Sequence, residues 1–247
     1  MNINGKTILI TGASTGIGRA IAVKLAEEKT NIIINYSSSK QEAETTLNMV
    51  KEKGSDGIIY RADVSKQKEV ESMCREAVNQ FESIDVLINN AGATNFVPLH
   101  DLEGMLDEYW DKALNVNVKG IFYTSRACKD ELEKNNGSIL NITSIAGCNG
   151  TGSSIAYAAS KAAGISLTKS LARVFAPSVR VNSIAPGVVL TRWVEGQDEH
   201  IQKHSEGTPL GRPASPEDIS NMAHALLKGG DFVTGQTIVV DGGYTIT

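Results

Sequence analysis

Short runs of β-branched and apolar residues recur along the chain, each followed by a longer stretch whose apolar positions carry helical spacing. The runs fall at residues 7–11, 32–36, 57–61, 86–89, 138–143, 179–184 and 236–240. Strands that alternate with helices predict parallel pairing, because a parallel return needs a crossover long enough to hold a helix. Several runs are apolar at consecutive positions, as Ile32, Ile33 and Ile34 are, so helices are expected on both faces of the sheet. The pattern therefore predicts an α/β fold with a doubly wound, seven-stranded parallel sheet. Two segments break the rhythm: the Gly-rich stretch after Ser144 and the long stretch 187–211. In such a sheet, loops beyond the carboxyl ends of strands hold the ligand, so both are candidates for a site. No repeat, low-complexity tract or linker divides the chain, and residues 1–247 are expected to form one domain.

Composition narrows the class. The chain is 41% hydrophobic and 21% charged, ordinary for a globular protein, and its net charge of −4 comes with no run of Lys and Arg to track a phosphate backbone or a lipid surface. Neither nucleic acid nor a membrane is an expected partner. No stretch reaches the roughly 18 uninterrupted apolar residues of a membrane helix. Residues 1–5 lead straight into Thr7-Ile8-Leu9-Ile10 with no charged segment and cleavage site, so nothing there directs secretion. Cys74, Cys128 and Cys148 lie far apart and form no CxxC pair, so neither a disulfide framework nor a zinc knuckle is expected, and a cytoplasmic location fits. His200 and His204 have the spacing of a metal pair, but charged neighbours and the lack of a third ligand favour a solvated helix face, and no metal site is expected.

The first strand runs into Thr11-Gly12-Ala13-Ser14-Thr15-Gly16-Ile17-Gly18, followed by a helical pattern over 19–28. Gly12 permits a tight turn, Gly16 lets the backbone approach a pyrophosphate, and Gly18 lets the helix lie close on the strand. The helix amino terminus adds free N–H groups and a positive dipole end, so an anion belongs there. A glycine triplet alone also fits an ordinary βα turn. Its position after the first strand of an alternating chain favours the cofactor reading.

Tyr157 and Lys161 stand four apart in a helical pattern over 157–171, which puts phenol and ammonium on one face. A free tyrosine titrates near ~10, and an adjacent cation favours phenolate, bringing the proton within working range of a neutral-pH acid/base. The same spacing also fits a core tyrosine beside a surface lysine. Ser144 closes the strand over 138–143 and so stands at the ligand edge of the sheet, where a plain turn residue is the alternative. Asn117 lies in a helical stretch otherwise suited to packing; a buried amide must be hydrogen-bonded, either to a water or between two backbones.

Together these residues resemble the short-chain dehydrogenase/reductase family of single-domain Rossmann-type proteins, over nearly the whole chain. The matching motifs are 11–18, Asp63-Val64, Asn89-Asn90-Ala91-Gly92, Asn117, Ser144, Tyr157 with Lys161, and Pro186-Gly187 with Thr191. The resemblance implies an oxidoreductase that passes a hydride between a nicotinamide and a carbonyl or alcohol carbon of a small molecule. It implies Tyr157 as acid/base, Ser144 orienting the substrate oxygen, Lys161 on the nicotinamide ribose, and Asn117 anchoring a water. It places the cofactor against Gly12, Ser14, Thr15, Gly16, Ile17, Gly18, Tyr36, Ser37, Asp63, Val64, Asn90, Ala91, Gly92, Pro186, Gly187, Val189 and Thr191. It implies a homotetramer or homodimer. In place of the glycine that usually closes the family's first helix the chain has Lys29-Thr30-Asn31, where Asn31 tolerates a left-handed turn.

The stretch 188–211 resembles the family's substrate flap, with Leu190, Trp193 and Val194 as candidate pocket walls opposite Phe96 and Val97. Among subfamilies the chain resembles 3-oxoacyl-(acyl-carrier-protein) reductases and sugar dehydrogenases. Against the former, no basic docking surface is evident at Lys134-Asn135-Asn136 or Phe175-Ala176-Pro177-Ser178. A sugar or hydroxysteroid dehydrogenase is the alternative, and a nucleotide-sensing module without chemistry a further one, which the complete set of four catalytic residues disfavours. Thr15 carries no cation for a 2′-phosphate. Tyr36, however, stands where NAD-users carry an acid, and Ser37, Ser38, Ser39 and Lys40 follow. NADP(H) is favoured on that basis, with NAD(H) as the alternative.

Overall fold

Burial of consecutive apolar residues sets the sheet: all four residues of β1 (Thr7–Ile10) are buried, as are five of the six in β2 (Asn31–Tyr36). The computed structural model describes residues 1–196 and 198–246, and the side chain of His200 lies outside the described residues. With β3 (Asp56–Arg61), β4 (Val86–Asn89), β5 (Ser138–Ile142), β6 (Arg180–Pro186) and β7 (Thr237–Val240), these strands form one all-parallel sheet ordered β3-β2-β1-β4-β5-β6-β7. The seven expected strands are all present, each within two residues of its sequence-based bounds. Strand order reverses between β1 and β4, and the crevice beyond their carboxyl ends is where a ligand fits such a sheet.

The two faces carry different helices. Ile8, Ile10, Ile32 and Ile34 point to one face, against α1 (Gly16–Ala26), α2 (Lys40–Glu52) and α10 (Pro216–Gly229). Leu9, Ile33, Leu87 and Ile139 point to the other, against α3 (Gln67–Phe81), α5 (Gly120–Ala127) and α8 (Ile155–Phe175). This alternation is the period-2 geometry of a strand carried to both layers. The remaining helices are α4 (Asp107–Leu114), α6 (Lys129–Lys134), α7 (Ala146–Asn149) and α9 (Asp198–Glu206). Between α4 and α5 the helix widens into a π turn over Asn115–Lys119, which holds Asn117.

A buried polar ladder crosses the second layer. Asn89 donates to Asn141 at 2.9 Å, Asn141 donates to Thr168 on α8 at 2.9 Å, and Thr124 on α5 donates to Asn89 at 2.6 Å. Such groups are tolerated inside because they satisfy one another. Nearby, the thiols of Cys74 and Cys128 lie 3.2 Å apart between α3 and the end of α5, a proximity that a separation of 54 positions hides in the sequence. Among the described residues, no helix is long and apolar enough to cross a membrane.

The turn after α1 differs from expectation. The helix ends at Ala26, two residues before the periodicity suggested, so the left-handed position falls on Lys29 (φ 54°), and Asn31 already belongs to β2. Buried Thr30 fixes the turn by giving two bonds: its N–H to Ser55 Oγ at 2.8 Å and its hydroxyl to Leu25 O at 3.1 Å. A left-handed backbone costs a side chain with a Cβ roughly 1–2 kcal/mol, and Lys29 is exposed. Lys29→Gly is therefore expected to raise stability by about 1 kcal/mol after the entropy of the unfolded glycine is counted; a denaturation midpoint that stays put or falls would show the turn to be unstrained.

Candidate active site

A cleft of about 880 Å³ opens at the switch point, and almost every residue singled out in the sequence lines it. At one end is the loop from Thr11 to α1. Gly12 has φ 61°, and a Cβ there would stand 2.9 Å from Ala91 Cα. Gly16 has φ 57°, and a Cβ there would lie 3.3 Å from the Thr191 methyl. Gly18 does not line the cleft; a Cβ on it would strike Gly12 O at 2.6 Å and Asn90 Nδ2 at 2.5 Å, so its part is the close seating of α1. The first turn of α1 has neither a side-chain cap nor an acid, which leaves its N–H groups directed at the cleft. This cradle fits a pyrophosphate.

Two asparagines hold the loop. Asn35 Oδ1 accepts the Gly12 N–H at 3.1 Å while its amide donates to Ala62 O at 2.9 Å. Sequence reasoning missed Asn35; its only signal was a polar residue in the apolar run of β2. Asn90 donates to Thr11 O and Gly12 O, both at 2.9 Å, so its side chain braces the loop from β4. Ser14, Thr15, Ile17, Ala91 and Gly92 complete this wall, and Tyr36, Ser37, Asp63 and Val64 form the neighbouring one. Asp63 Oδ1 accepts from Ser65 N–H at 2.9 Å. Pro186, Gly187, Val189 and Thr191 line the side toward β6.

At the far end stand Ser144, Tyr157 and Lys161. Tyr157 sits in the first turn of α8, where its N–H bonds the Ser154 cap at 3.2 Å. Gly147 lets α7 approach α8 at backbone distance, since a Cβ would lie 2.6 Å from Ala162 N; this draws the Ser144 loop toward Tyr157. Lys161 is buried, donates to Ile142 O at 2.9 Å and lies 5.6 Å from the centre of the Tyr157 ring. Burial pushes the Tyr157 phenol up to about 12, against the opposing pull of a hydrogen bond with Ser144, and brings the Lys161 ammonium down to about 8. The sequence argument had the lysine lowering the tyrosine. Loss of water around the phenol dominates instead, and moves it the other way.

Asn117 is fully engaged and does not line the cleft. Its Oδ1 accepts the Ala93 N–H at 2.7 Å, and its amide donates to Ala93 O at 2.9 Å and Ser160 Oγ at 2.8 Å. Ser160 in turn donates to Tyr157 O at 2.7 Å. These bonds tie the loop after β4 to α8.

In the flap, Trp193 and Val194 line the cleft with Phe96 opposite, whereas Leu190 is half exposed outside it and Val97 is buried behind it. The Trp193 ring lies 6.1 Å from that of Tyr157. His204 is not on a solvated face: it stacks on Tyr244 at 4.2 Å and borders the cleft, while the His200 side chain lies outside the described residues. Among the described residues no three potential metal ligands gather.

Comparison with known proteins agrees with this fold. The family profile described as Enoyl-(Acyl carrier protein) reductase matches residues 12–245. The chain is 39% identical to the 3-oxoacyl-(acyl-carrier-protein) reductase FabG of Staphylococcus aureus over 242 residues, covering 96% of this chain and 97% of that one. Identity to the FabG of Staphylococcus epidermidis is also 39%, over 96% and 98% of the two chains. A short-chain type dehydrogenase/reductase from Mycobacterium marinum superposes with a TM-score of 0.92 at 30% identity, over 100% of this chain and 98% of that chain.

Removing the Asn117 amide would leave the Ala93 N–H and C=O and the Ser160 hydroxyl short of partners, each worth about 1–3 kcal/mol when buried. Asn117→Ala is expected to lose roughly 3 kcal/mol in chemical denaturation; a loss under about 1 kcal/mol would show that the amide does not hold these segments together.

Proposed function

This chain belongs to the short-chain dehydrogenase/reductase family, and from that membership we propose that it is an NADP(H)-dependent reductase of 3-oxoacyl thioesters, with Tyr157 as the acid. The observation that carries the reading is one continuous cleft with an anion cradle at one end and Ser144, Tyr157 and Lys161 at the other. The relatives' named substrate supports the acyl thioester, as do Phe96 and Trp193, two half-exposed aromatic walls, with the cation of Lys112 at their rim. Absence of an acid at Tyr36, and the hydroxyls that follow it, support the phosphorylated cofactor.

A bound nicotinamide supplies the hydride for the carbonyl carbon. The other tasks fall to side chains. Ser144 and Tyr157 both present hydroxyls to the carbonyl oxygen and orient it. As negative charge grows on that oxygen, the Tyr157 hydroxyl gives up its proton to it, so C=O gains one hydride and one proton and becomes CH–OH. A phenol held up to about 12 is fully protonated at neutral pH and ready for this direction. The Lys161 ammonium, close to the ring, offsets the charge left on the phenolate, and it would also hold the nicotinamide ribose. Trp193 and the flap shield the reacting atoms from water.

The test is turnover of acetoacetyl thioester against sugars, steroids and simple ketones, followed by nicotinamide absorbance. Inert thioesters beside a rapidly turned-over sugar or steroid would overturn the substrate assignment. Tyr157→Phe is expected to lose roughly 10²–10⁴ in turnover while binding cofactor as before. Lys161→Ala should weaken cofactor binding too, and an unchanged dissociation constant would remove its ribose role. The pH profile follows from the direction of each shift. Lys161 keeps its proton below about 8 and loses it above, while Tyr157 remains protonated on both sides. Reduction is thus expected to hold steady through neutral pH and decline above about 8; a decline already complete at neutral pH would contradict this assignment.

A further inference from the structure

Two guanidinium groups meet the turn that follows β2, and neither is foreshadowed by the motifs. Arg61, the last residue of β3, donates from Nε to Ser37 O at 3.1 Å. Arg192 comes from the flap, 153 positions away in sequence, and donates from Nη2 to Ser39 Oγ at 3.3 Å. Ser37, Ser38, Ser39 and Arg192 line the same cleft, on the wall shared with Tyr36.

The flap segment reaches both ends of the site. Thr191 stands over Gly16 of the anion cradle, where an added Cβ would lie 3.3 Å from its methyl, and caps the short helical turn Arg192–Val194 through a 3.3 Å bond from Trp193 N–H. From that one turn Arg192 extends to the serines and Trp193 to the Tyr157 ring. Its bond to Ser39 is exposed, long and made to a neutral acceptor, so a guanidinium gains little from it. A dianionic phosphate among the serine hydroxyls would be a far better acceptor, because charge-assisted and bidentate bonds suit the planar fork of arginine.

We propose that Arg192 is the flap's cation for the 2′-phosphate of NADP(H), so that this phosphate is clamped between the Ser37–Ser39 turn and the flap, and cofactor identity governs closure over the substrate. The inference rests on the NADP(H) reading above. It supplies the charge that Thr15 lacks, and it makes specificity a property of the closed flap as well as of the β2 terminus. With NAD(H) the clamp has no anion to close on.

The experiment uses adenosine 2′,5′-bisphosphate and 5′-AMP, which differ only in the 2′-phosphate and need no turnover. Each is titrated by calorimetry into the parent, Arg192→Ala and Arg61→Ala. The parent is expected to prefer the bisphosphate, and Arg192→Ala to lose about ten- to a hundredfold of that preference while binding 5′-AMP as the parent does. In a Trp110→Phe background, Trp193 fluorescence should respond to the bisphosphate and not to 5′-AMP, and the response should vanish with Arg192→Ala. If the parent shows no preference, the NADP(H) reading falls and the clamp with it. If the parent prefers the bisphosphate and Arg192→Ala keeps that preference, or only Arg61→Ala loses it, the cofactor reading stands and the role of Arg192 is overturned. A preference lost without any Trp193 response would overturn the coupling to closure.

Discussion

A buried amide that must be satisfied on every side anchors the Tyr157 end of the cleft. Asn117 has no access to water, so its acceptor and both of its donor bonds find protein groups, and those groups tie the π turn to two other segments: the loop after β4 and α8. Through Ser160 the linkage reaches the backbone carbonyl of Tyr157. The position of the Tyr157 phenol thus depends on bonds made well behind it. The ladder through Asn89, Asn141, Thr124 and Thr168 does the same for the underlying layer, fixing α5 and α8 to the central strands.

Burial also sets the chemistry of the pair in front. Tyr157 and Lys161 are shifted in opposite directions by one cause, loss of water, because each is moved toward its neutral form. A protonated phenol beside an ammonium whose proton is loosely held is better suited to giving a proton than to taking one. The bond from Lys161 to Ile142 O orients the ammonium from the end of β5.

Much of this was legible in the sequence. The seven strands showed through because a parallel sheet covered on both faces needs unbroken apolar runs, as in Ile32 to Ile34, and the glycine loop because close backbone approach permits nothing else at Gly12 and Gly18. What stayed hidden depends on contacts between distant segments. Asn35 looked like an ordinary polar interruption until Gly12 came to lie against it, and Arg192 had no visible connection to Ser39. His204 looked solvated because its stacking partner Tyr244 lies 40 positions on, near the end of the described chain. The left-handed residue was misplaced for a local reason: helical periodicity carried past Ala26 into residues whose spacing is helical but whose backbone is not. The Tyr157 shift went the other way because charge proximity can be read from spacing, whereas dehydration cannot.

The π turn at Asn115–Lys119 has a consequence for phase. A turn of this kind holds one residue more than an α turn, so the helix that leaves it is rotated by about 100° relative to the helix that enters. Before the turn, α4 lies along α8; after it, α5 lies along α3 and β4. A straight helix could not serve both partners with a single apolar stripe. The extra residue acts as a gear between two packing surfaces, and Asn117 rides on it, which ties the aim of the amide to the change of face.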